Sequence, residues 1–531
     1  MAVRGTGNQA GNGNNGAAPS FAPIETELKL RALPSALNQV RTSPGILQCA
    51  RNKGTIRRLE ATYYDTTDHR LFDAGLSLRV RRSGKHFTQT VKRLAANGPL
   101  AREEWEASVG TRAPDLSVLP TAEIDGIFNT IPVDQLVPIL VTRIRRHAIA
   151  VDVPDGQIEV AFDDGVIEAG AEQEPVSEIE LELKQGRTAA LYQLGLGLLD
   201  VAPLCLETQS KSARGYALAL GIHPVAMKAG SSNLRREDSV DEGIAKLLSG
   251  CHQQILSNLC PATSDREPEG VHQLRVALRR LHTALYFLRR ELDAPSLQAL
   301  DAEAKRFART LGPARNWDVF IDSTLADLEK ANLPEIEFSA LRDASAPFRD
   351  QAYQEMRESI ADPQTNRFLL SLGLAIEQKS WRNEVSGEDL GIFTEPLTKF
   401  AARVLTRLER KALKRGHHFR QMRPEARHKL RLTLKKLRYA TEFFLPLCSS
   451  EASSKEYLRQ LSRLQDALGE ANDIKTSRTL LSGIREGVHS PDVHCAIGAV
   501  AGWQGHRELA GADRLNNRWR KFKRTAPFWP C

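Results

Sequence analysis

The hydrophobic pattern of the chain changes once, near residue 220, from a period of two residues to a period of about 3.6 residues. Between Ile24 and Arg146, short segments alternate apolar and polar residues and are separated by turn residues, a pattern that predicts β-strands. After Leu220, long segments rich in Leu, Ala, Arg and Lys repeat their apolar residues at helical spacing. The 531 residues suffice for roughly two to four domains. The sequence therefore predicts an α+β protein of two domains, the first mainly β and the second all-α.

The boundary between the two domains lies in a segment that contains Gly and Ser, residues 223–238, which we interpret as a linker. Ser239 and Glu242 follow with the spacing of a capping box, which predicts that a helix begins there. We therefore assign residues 22–222 to the first domain and residues 239–528 to the second.

The chain has features of a protein that folds in a reducing compartment. Residues 1–21 are rich in Gly and Asn, lack the apolar core of a signal peptide and predict a disordered tail. No later stretch reaches the roughly 18 uncharged apolar residues of a membrane span. The 7 cysteines are scattered, a pattern typical neither of a disulfide framework nor of a zinc site. We expect a soluble, cytoplasmic protein without a membrane partner.

The net charge of +8 comes from the second half of the chain. Residues 1–220 contain 24 Lys and Arg against 26 Asp and Glu, whereas the remaining residues contain 49 and 39. The all-α domain is therefore expected to attract polyanions. Nucleic acid is the less suitable polyanion, because the chain has no recognised nucleic-acid-binding motif and only 6 Trp and 8 Tyr for base stacking.

Six strand segments of the first domain carry charged residues on one face, because side chains two positions apart point to the same side of a strand. These segments are Glu25-x-Glu27-x-Lys29, Arg79-x-Arg81, Thr90-x-Lys92, Arg102-x-Glu104-x-Glu106, Arg143-x-Arg145 and Glu178-x-Glu180-x-Glu182. A solvent-exposed sheet face is the ordinary alternative for any single strand. Here, however, two strands present stacked carboxylates and three present basic residues without acidic partners.

Stacked like charges cost energy unless a counterion lies among them. A divalent cation among the Glu residues and a polyphosphate among the Arg and Lys residues would remove both penalties. Mg²⁺ or Mn²⁺ suits such an all-oxygen site. The charge pattern therefore predicts a site for a metal-bound phosphate compound.

The first domain resembles the CYTH family, the triphosphate tunnel metalloenzymes, over about residues 22–220. The resemblance rests on the charged segments above together with Tyr64-Asp65-Thr66, Gly75-Leu76-Ser77, Ser210-Lys211-Ser212 and Arg214. It implies an eight-stranded antiparallel β-barrel with flanking helices, whose tunnel binds a triphosphate with a divalent metal.

The resemblance also implies roles for individual residues. The metal-side carboxylates would be Glu25, Glu27, Glu180 and Glu182. The phosphate-binding residues would be Lys29, Arg79, Arg81, Lys92, Arg143, Arg145 and Lys211. Glu25, Glu27 and Lys29 would be catalytic. A tyrosine near the tunnel could pair with Lys29, and strand parity leaves Tyr63 and Tyr64 both open.

The second domain contains two similar basic helices. The segment that begins at Val271 matches the segment that begins at Arg427, which predicts an all-α bundle with an internal twofold repeat. At about 100° per residue, the basic residues of each copy fall on one arc and the leucines on the other side. The basic residues are His272, Arg275, Arg279 and His282 in the first copy and His428, Arg431, Lys435 and Arg438 in the second.

A basic stripe is ordinarily a solvated face, but we find neither stripe balanced by acidic residues three or four positions along the helix. We therefore expect both stripes to bind a polyanion. These motifs resemble the CHAD family over about residues 236–528, which implies binding of inorganic polyphosphate. Asn316 departs from the family pattern, which has Asp at that position.

The leading hypothesis is a metal-dependent inorganic triphosphatase, a hydrolase of phosphoric anhydrides, whose helical domain binds inorganic polyphosphate. One alternative is a polyphosphate-binding protein without catalysis. The other is an adenylyl cyclase-like use of ATP in the same tunnel.

Overall fold

A computed structural model describes residues 24–94, 100–120, 124, 126–264, 268–331, 336–448 and 450–529 of the chain. The predicted disordered tail over residues 1–21 lies outside the described residues. Among the described residues, no helix combines the length and the hydrophobicity that crossing a membrane requires.

The first part of the chain forms an antiparallel barrel. Its strands are β1 (Ile24–Ala32), β2 (Thr55–Asp65), β3 (Leu76–Ser83), β4 (His86–Leu94), β5 (Ala101–Val109), β6 (Val137–Val153), β7 (Gly156–Ala169), β8 (Glu172–Gly186) and the short β9 (Leu204–Glu207). Eight strands pair in the order β5-β4-β3-β2-β6-β7-β8-β1, and β1 also pairs with β5, which closes the barrel. Strand β9 pairs with the later residues of β1. The predicted eight-stranded antiparallel barrel is confirmed.

Five α-helices accompany the barrel, and eleven more follow it in the described part of the chain. The first five are α1 (Pro34–Arg41), α2 (Pro44–Leu47), α3 (Arg70–Asp73), α4 (Ala189–Leu199) and α5 (Lys211–Leu220). The others are α6 (Val240–Thr263), α7 (Pro268–Glu291), α8 (Pro295–Thr310), α9 (Gly312–Val319), α10 (Ala326–Lys330), α11 (Phe338–Ala361), α12 (Pro363–Gln378), α13 (Leu397–Arg415), α14 (Pro424–Phe444), α15 (Glu451–Gly487) and α16 (Pro491–Arg524). The second domain is therefore all-α, as predicted.

Helix α6 begins where the sequence predicts it. The Ser239 side chain accepts a hydrogen bond from the backbone N–H of Glu242, and the Glu242 carboxylate accepts one from the backbone N–H of Ser239. This capping box satisfies donors that a helix start otherwise leaves free. The domain bounds 22–222 and 239–528 stay predictions.

The barrel directs its apolar side chains outward, where helices and loops cover them. Leu28 and Leu181 of the wall are buried in one cluster with Leu37 of α1 and Leu191 of α4. On the other side of the barrel, Trp105 is buried in a cluster with Leu119, Phe128 and Leu136, which lie between β5 and β6 in the chain. Because side chains alternate along a strand, this outward burial directs the charged faces into the barrel.

The helical domain packs directly against the barrel. Leu370 of α12 is buried within the barrel's apolar cluster. The backbone N–H of Leu206 in β9 donates to Oδ1 of Asn366 in α12 at 2.7 Å. A Cβ atom on Gly373 would lie 2.2 Å from the ring of Tyr192, so only a glycine permits this approach of α12 to α4. These contacts fix the position of the helical domain on the barrel.

Candidate active site

The tunnel of the barrel is lined almost entirely by ionisable and hydroxyl side chains, and its cavity has a volume of about 190 Å³. Its lining comes from the eight strands β1 to β8 and from the start of α5. The lining residues are Glu25, Glu27, Lys29, Tyr63, Ser77, Arg79, Arg81, Lys92, Arg102, Glu104, Glu106, Arg146, Glu159, Ala161, Glu180, Glu182, Lys184, Ser210, Lys211 and Ser212.

One side of the tunnel is a row of carboxylates. In the strand register, Glu182 of β8 stands opposite Glu27 of β1 on one side and opposite Glu159 of β7 on the other. Burial raises the pKa of Glu182, and the negative charges of Glu25 and Glu159 raise it further against the opposing effect of Lys184. Like charges directly opposite each other destabilise a sheet. The row is therefore suited to a cation.

A cluster of buried carboxylates lies near the start of α5. Oxygen atoms of Asp163, Glu178 and Glu180 all lie within 4.8 Å of one another. The Lys211 ammonium donates to Asp163 at 2.7 Å, to Glu180 at 2.9 Å and also to Glu178. Burial opposes its charge, but the three carboxylates raise the pKa of Lys211 well above its usual value. Lys211 thus already supplies a cation to this cluster.

Arg146 of β6 joins the same network from the tunnel wall. Its guanidinium donates two hydrogen bonds to Asp163, at 2.6 and 2.7 Å, and a third to Glu180. The two parallel bonds to Asp163 are the forked geometry in which Arg binds carboxylate or phosphate. A phosphate group could take the place of either carboxylate.

Glu27 and Glu104 are carboxylates of opposite character. Burial would raise the pKa of Glu27, but Lys29, whose ammonium lies 2.5 Å away, Lys92 and Arg102 outweigh it and lower the pKa to about 2. Burial raises the pKa of Glu104 to about 7, against the opposing charge of Lys92. At neutral pH, Glu27 is therefore an anion, whereas Glu104 is divided between its two protonation states.

The basic wall consists of side chains from β3 and β4. Arg79 lies 3.7 Å from Glu104, Arg81 lies 3.4 Å from Glu106, and Lys92 lies 3.2 Å from Glu104 and also contacts Glu25. Within the described residues, the buried Nε of Arg79 has no hydrogen-bond partner. These long or unfilled contacts leave donors available to a ligand.

The placement of Arg143 and Arg145 in the tunnel is wrong. Both side chains lie exposed on the outer face of β6, where Arg143 contacts Glu60 and Glu168. The sequence Arg143-Ile144-Arg145-Arg146 places basic residues on both faces of the strand. Two of them, Arg143 and Arg145, share one face and Arg146 stands alone on the other, so the pattern favoured the wrong face. The signal for the correct parity lay further along the strand, where Ile149 and Val151 share the outward parity and are buried beneath the barrel's helices.

The structure places the other predicted tunnel residues on the inner face: Glu25, Glu27, Lys29, Arg79, Arg81, Lys92, Glu180, Glu182 and Lys211. It also decides between the two tyrosines. Tyr63 lines the tunnel, whereas the hydroxyl of Tyr64 donates to the backbone carbonyl of Arg112 at 3.0 Å. Sequence reasoning did not select Arg146 or Asp163 as site residues.

In the helical domain, α7 and α14 bring basic side chains together with one from α9. We call Arg275, Arg279, Arg315, Arg431 and Lys435 the central basic cluster. Burial and the charges of Arg279 and Arg315 lower the pKa of Arg275 to about 10. Burial and the charges of Arg431 and Arg279 lower the pKa of Lys435 to about 7, and Asp473 opposes this only in part. These basic side chains lower one another's pKa values, which identifies an excess of positive charge that an anion would relieve.

Not all of the predicted stripe residues belong to this cluster. Arg438 pairs with Glu442 four residues on, at 2.8 Å, so the second stripe does have an acidic partner. The Nδ1 atom of His282 lies 2.5 Å from the buried Asp301. Burial and the neighbouring Arg315 lower the pKa of His272 to about 4, so this imidazole is neutral at pH 7. His428 is exposed on the first turns of α14.

A second cavity, of about 550 Å³, lies between the barrel and the helical domain. It shares Glu27, Lys29 and Arg102 with the tunnel, so the two cavities adjoin. Its remaining walls include apolar side chains of the barrel, the linker and α6: Phe72, Leu76, Leu100, Leu206, Val225, Met227, Leu256 and Pro261. We call this space the vestibule.

Comparison with known proteins bears on both halves of the chain. The CYTH domain family matches residues 23–216, and the CHAD domain family matches residues 246–482. The fold and the sites define two classes of domain. One is a barrel with a charged tunnel, and the other is a helical bundle with a basic cluster. The chain carries a CYTH domain followed by a CHAD domain.

Individual relatives cover the chain to different extents. An inorganic triphosphatase from Haemophilus influenzae is 33% identical over 161 residues, which are 30% of this chain and 45% of that protein. The match therefore spans less than half of that relative. An uncharacterised protein from Mycobacterium tuberculosis is 24% identical over 86% of this chain and 87% of its own length. The crystal structure of the CHAD domain from the plant Ricinus communis is 25% identical over 55% of this chain and 96% of its own, with a TM-score of 0.46.

Proposed function

We propose that the CYTH domain hydrolyses inorganic triphosphate with Mg²⁺ or Mn²⁺, and that the CHAD domain binds inorganic polyphosphate. The observation that carries the enzymatic part is that a row of carboxylates and a wall of cationic side chains face one cavity of about 190 Å³. The name of the Haemophilus relative supports the same substrate.

The carboxylate row fits a divalent cation, because its like-charged side chains stand directly opposite each other across the strands. The residues that would hold the cation are Glu25, Glu27, Glu180 and Glu182, with Glu159 beside them. A bound cation would neutralise charge on the phosphate oxygens. Glu180 would first have to exchange its contacts with Arg146 and Lys211.

The basic wall, together with Arg146 of β6, would bind the phosphate chain. Arg79, Arg81, Lys92 and Arg146 have carboxylate partners that phosphate oxygens could replace, and the Nε of Arg79 is a buried donor without a partner among the described residues. Arg suits this task through its planar fork, and Lys acts as a point charge. The tunnel would thus hold the substrate in one orientation.

The catalytic groups would be Glu25, Glu27 and Lys29. The two carboxylates would position a water for attack on the terminal phosphorus, and Lys29 would neutralise developing negative charge. The new bond joins the water oxygen to phosphorus, and the bridging P–O bond breaks. The products are orthophosphate and diphosphate, and a carboxylate accepts the proton that the water loses.

Phosphate release from inorganic triphosphate by the full chain tests the proposal, with Mg²⁺ or Mn²⁺ and with a chelator. Glu27→Gln removes a tunnel carboxylate, and Glu60→Gln is the matched control on the outer face of β2. We expect Glu27→Gln to lose at least about 100-fold in rate and the control to keep the wild-type rate. An inactive wild type would reduce the barrel to a receptor without catalysis, and a fully active Glu27→Gln would contradict the catalytic role of Glu27.

The central basic cluster carries the proposal for the CHAD domain, because its pKa shifts mark positive charge without sufficient acidic partners. Competition between long-chain polyphosphate and duplex DNA for the full chain tests it. We expect polyphosphate to displace DNA and Arg275→Ala to weaken polyphosphate binding. Equal affinity of the two polymers would contradict the assignment.

The vestibule favours a second candidate, the use of an organic triphosphate such as ATP. Its apolar walls adjoin the tunnel at Lys29 and Arg102, where an organic group attached to a tunnel-bound triphosphate would lie. Incubation with ATP separates the outcomes. Release of orthophosphate indicates hydrolysis, whereas release of diphosphate with a cyclic nucleotide indicates a cyclase.

A further inference from the structure

The vestibule has the size and the composition of a small-molecule site. Its volume of about 550 Å³ lies within the range of roughly 300–1,000 Å³ that is typical of such sites, and its walls are mostly apolar. Helix α6 contributes one of its faces, because its lining residues recur at helical spacing: Gln253, Leu256, Ser257, Cys260 and Pro261. The barrel and the linker supply the other walls. The space therefore exists only where the two domains meet.

The linker side of the vestibule is held in place by a buried asparagine. The backbone N–H of Met227 donates to Oδ1 of Asn258 at 2.9 Å, and Nδ2 of Asn258 donates to the backbone carbonyl of Met227 at 2.9 Å. The side chains of Val225 and Met227 nevertheless remain 78% and 55% exposed. A ligand that covered them would remove apolar surface from water, which is favourable. The fixed linker therefore presents apolar side chains that suit an apolar ligand.

The mouth, where the vestibule meets the tunnel, has the opposite character. We define the mouth by the residues that line both cavities: Glu27, Lys29, Ser77, Lys92, Arg102, Ser210 and Ser212. They comprise three cations, three hydroxyl groups and one carboxylate. Glu27 contacts Lys29 at 2.5 Å and Arg102 at 3.3 Å, so a single carboxylate serves two cations. An anionic group is therefore favoured at the mouth over a cationic one.

We propose that the vestibule binds a free amphiphilic organic anion, whose apolar body lies against α6 and the linker and whose single anionic head lies at the mouth. Such a ligand would exclude triphosphate from Lys29 and Arg102 and would thereby block the tunnel. It differs from an organic triphosphate, because only its head reaches the charged residues. The inference goes beyond the proposed function and does not require catalysis, since binding alone tests it.

Calorimetric titration of the full chain with ethyl, butyl, hexyl and octyl phosphate tests the inference. The head group is constant in this series, so differences in affinity report contacts of the apolar body. We expect the affinity of the wild type to rise by about three- to fourfold for each added CH₂ until the chain fills the vestibule. Orthophosphate, which has no apolar body, gives the baseline. Octyltrimethylammonium carries the same body on a cationic head and should bind far more weakly than octyl phosphate.

The variant Val225→Gln/Met227→Gln makes the linker wall polar, while Asn258 keeps its contacts with the backbone. The matched control is Leu390→Gln/Leu509→Gln, which replaces apolar side chains that are 45% and 82% exposed and lie outside the vestibule lining. We expect Val225→Gln/Met227→Gln to bind octyl phosphate at least about 10-fold more weakly and ethyl phosphate as the wild type does. The control should match the wild type at every chain length. Thermal unfolding verifies that both variants are folded.

Three results would overturn the inference: an affinity that does not depend on chain length, equal binding of octyltrimethylammonium, or a chain-length dependence that Val225→Gln/Met227→Gln retains. Octyl phosphate should also raise the KM for inorganic triphosphate and leave kcat unchanged, because the two compounds compete for the mouth. An unchanged KM would refute the blocking of the tunnel. A wild type that binds octyl phosphate as expected but releases no phosphate from triphosphate would refute the proposed hydrolysis and leave this inference standing.

Discussion

Arg145 and Arg146 are adjacent in sequence but lie on opposite faces of β6, and they provide a direct test of the tunnel. Arg146 lines the tunnel and donates to Asp163, whereas Arg145 is exposed outside. If the tunnel is the catalytic site, Arg146→Gln abolishes most of the activity and Arg145→Gln does not.

The expected losses in rate and in the free energy of unfolding follow from the contacts of Arg146. Removing one group that stabilises charge on a transferred phosphoryl costs about 100- to 1,000-fold in rate. The substitution also takes two hydrogen bonds from Asp163, which is fully buried. Lys211 still donates to Asp163 at 2.7 Å, so the carboxylate is not left unpaired. We therefore expect a loss of only about 1–3 kcal/mol in the free energy of unfolding, which leaves the protein folded.

The assay is the steady-state release of phosphate from inorganic triphosphate, with thermal unfolding measured on the same samples. We expect Arg145→Gln to lie within about twofold of the wild type, because surface substitutions away from a site have small effects. Equal losses for both variants, or full activity in a folded Arg146→Gln, would refute the assignment of the inner face.

Three further predictions concern other parts of the molecule. Polyphosphate affinity should fall by up to about 100-fold between pH 6.5 and 8.5, because Lys435 and Lys436 lose their positive charge as the pH rises. Their pKa values are about 7 and 8. Binding titrations across this range check the prediction, and a flat profile contradicts it. Asn366→Ala should lower the free energy of unfolding by about 1–3 kcal/mol, because the backbone N–H of Leu206 loses its acceptor at the domain interface; denaturant unfolding measures this, and an unchanged midpoint would exclude it. Chelation of divalent cations should stop phosphate release but leave polyphosphate binding unchanged, which parallel activity and binding measurements decide.

The charged strand faces were predictable because alternation is a local property, whereas the closed barrel and its tunnel were implied by the resemblance to the CYTH family. In β1, all the charged residues lie on one face: Glu25, Glu27, Lys29 and Arg31. The other face carries no charge that could compete. In β6, by contrast, three arginines within four residues occupy both parities, and only the packing of Ile149 and Val151 decides between them.

The features that sequence reasoning missed depend on contacts between distant elements. Arg146 and Asp163 meet through the pairing of β6 with β7, which sequence alternation does not specify. Asp301 reaches His282 from α8, so the first stripe is partly neutralised by a residue far along the chain. The pairing of Arg438 with Glu442 was visible at four-residue spacing and was overlooked.

The vestibule and the contacts of Tyr286 lay beyond the reach of any pattern in one segment. The vestibule exists because the linker and α6 lie against the mouth of the tunnel. The contacts of Tyr286 with Lys411, Lys436 and Arg290 require three helices, α7, α13 and α14, to meet around one ring. Both are products of tertiary packing, whereas the periodicities of single strands and helices report only local structure.

The most direct test of the tunnel site is a crystal structure with Mn²⁺ and a non-hydrolysable triphosphate analogue, in which anomalous scattering locates the metal. We predict the manganese peak inside the barrel beside Glu25, Glu27 and Glu182, with phosphate groups along Arg79 and Arg146. A metal and a triphosphate bound only outside the barrel would contradict the account.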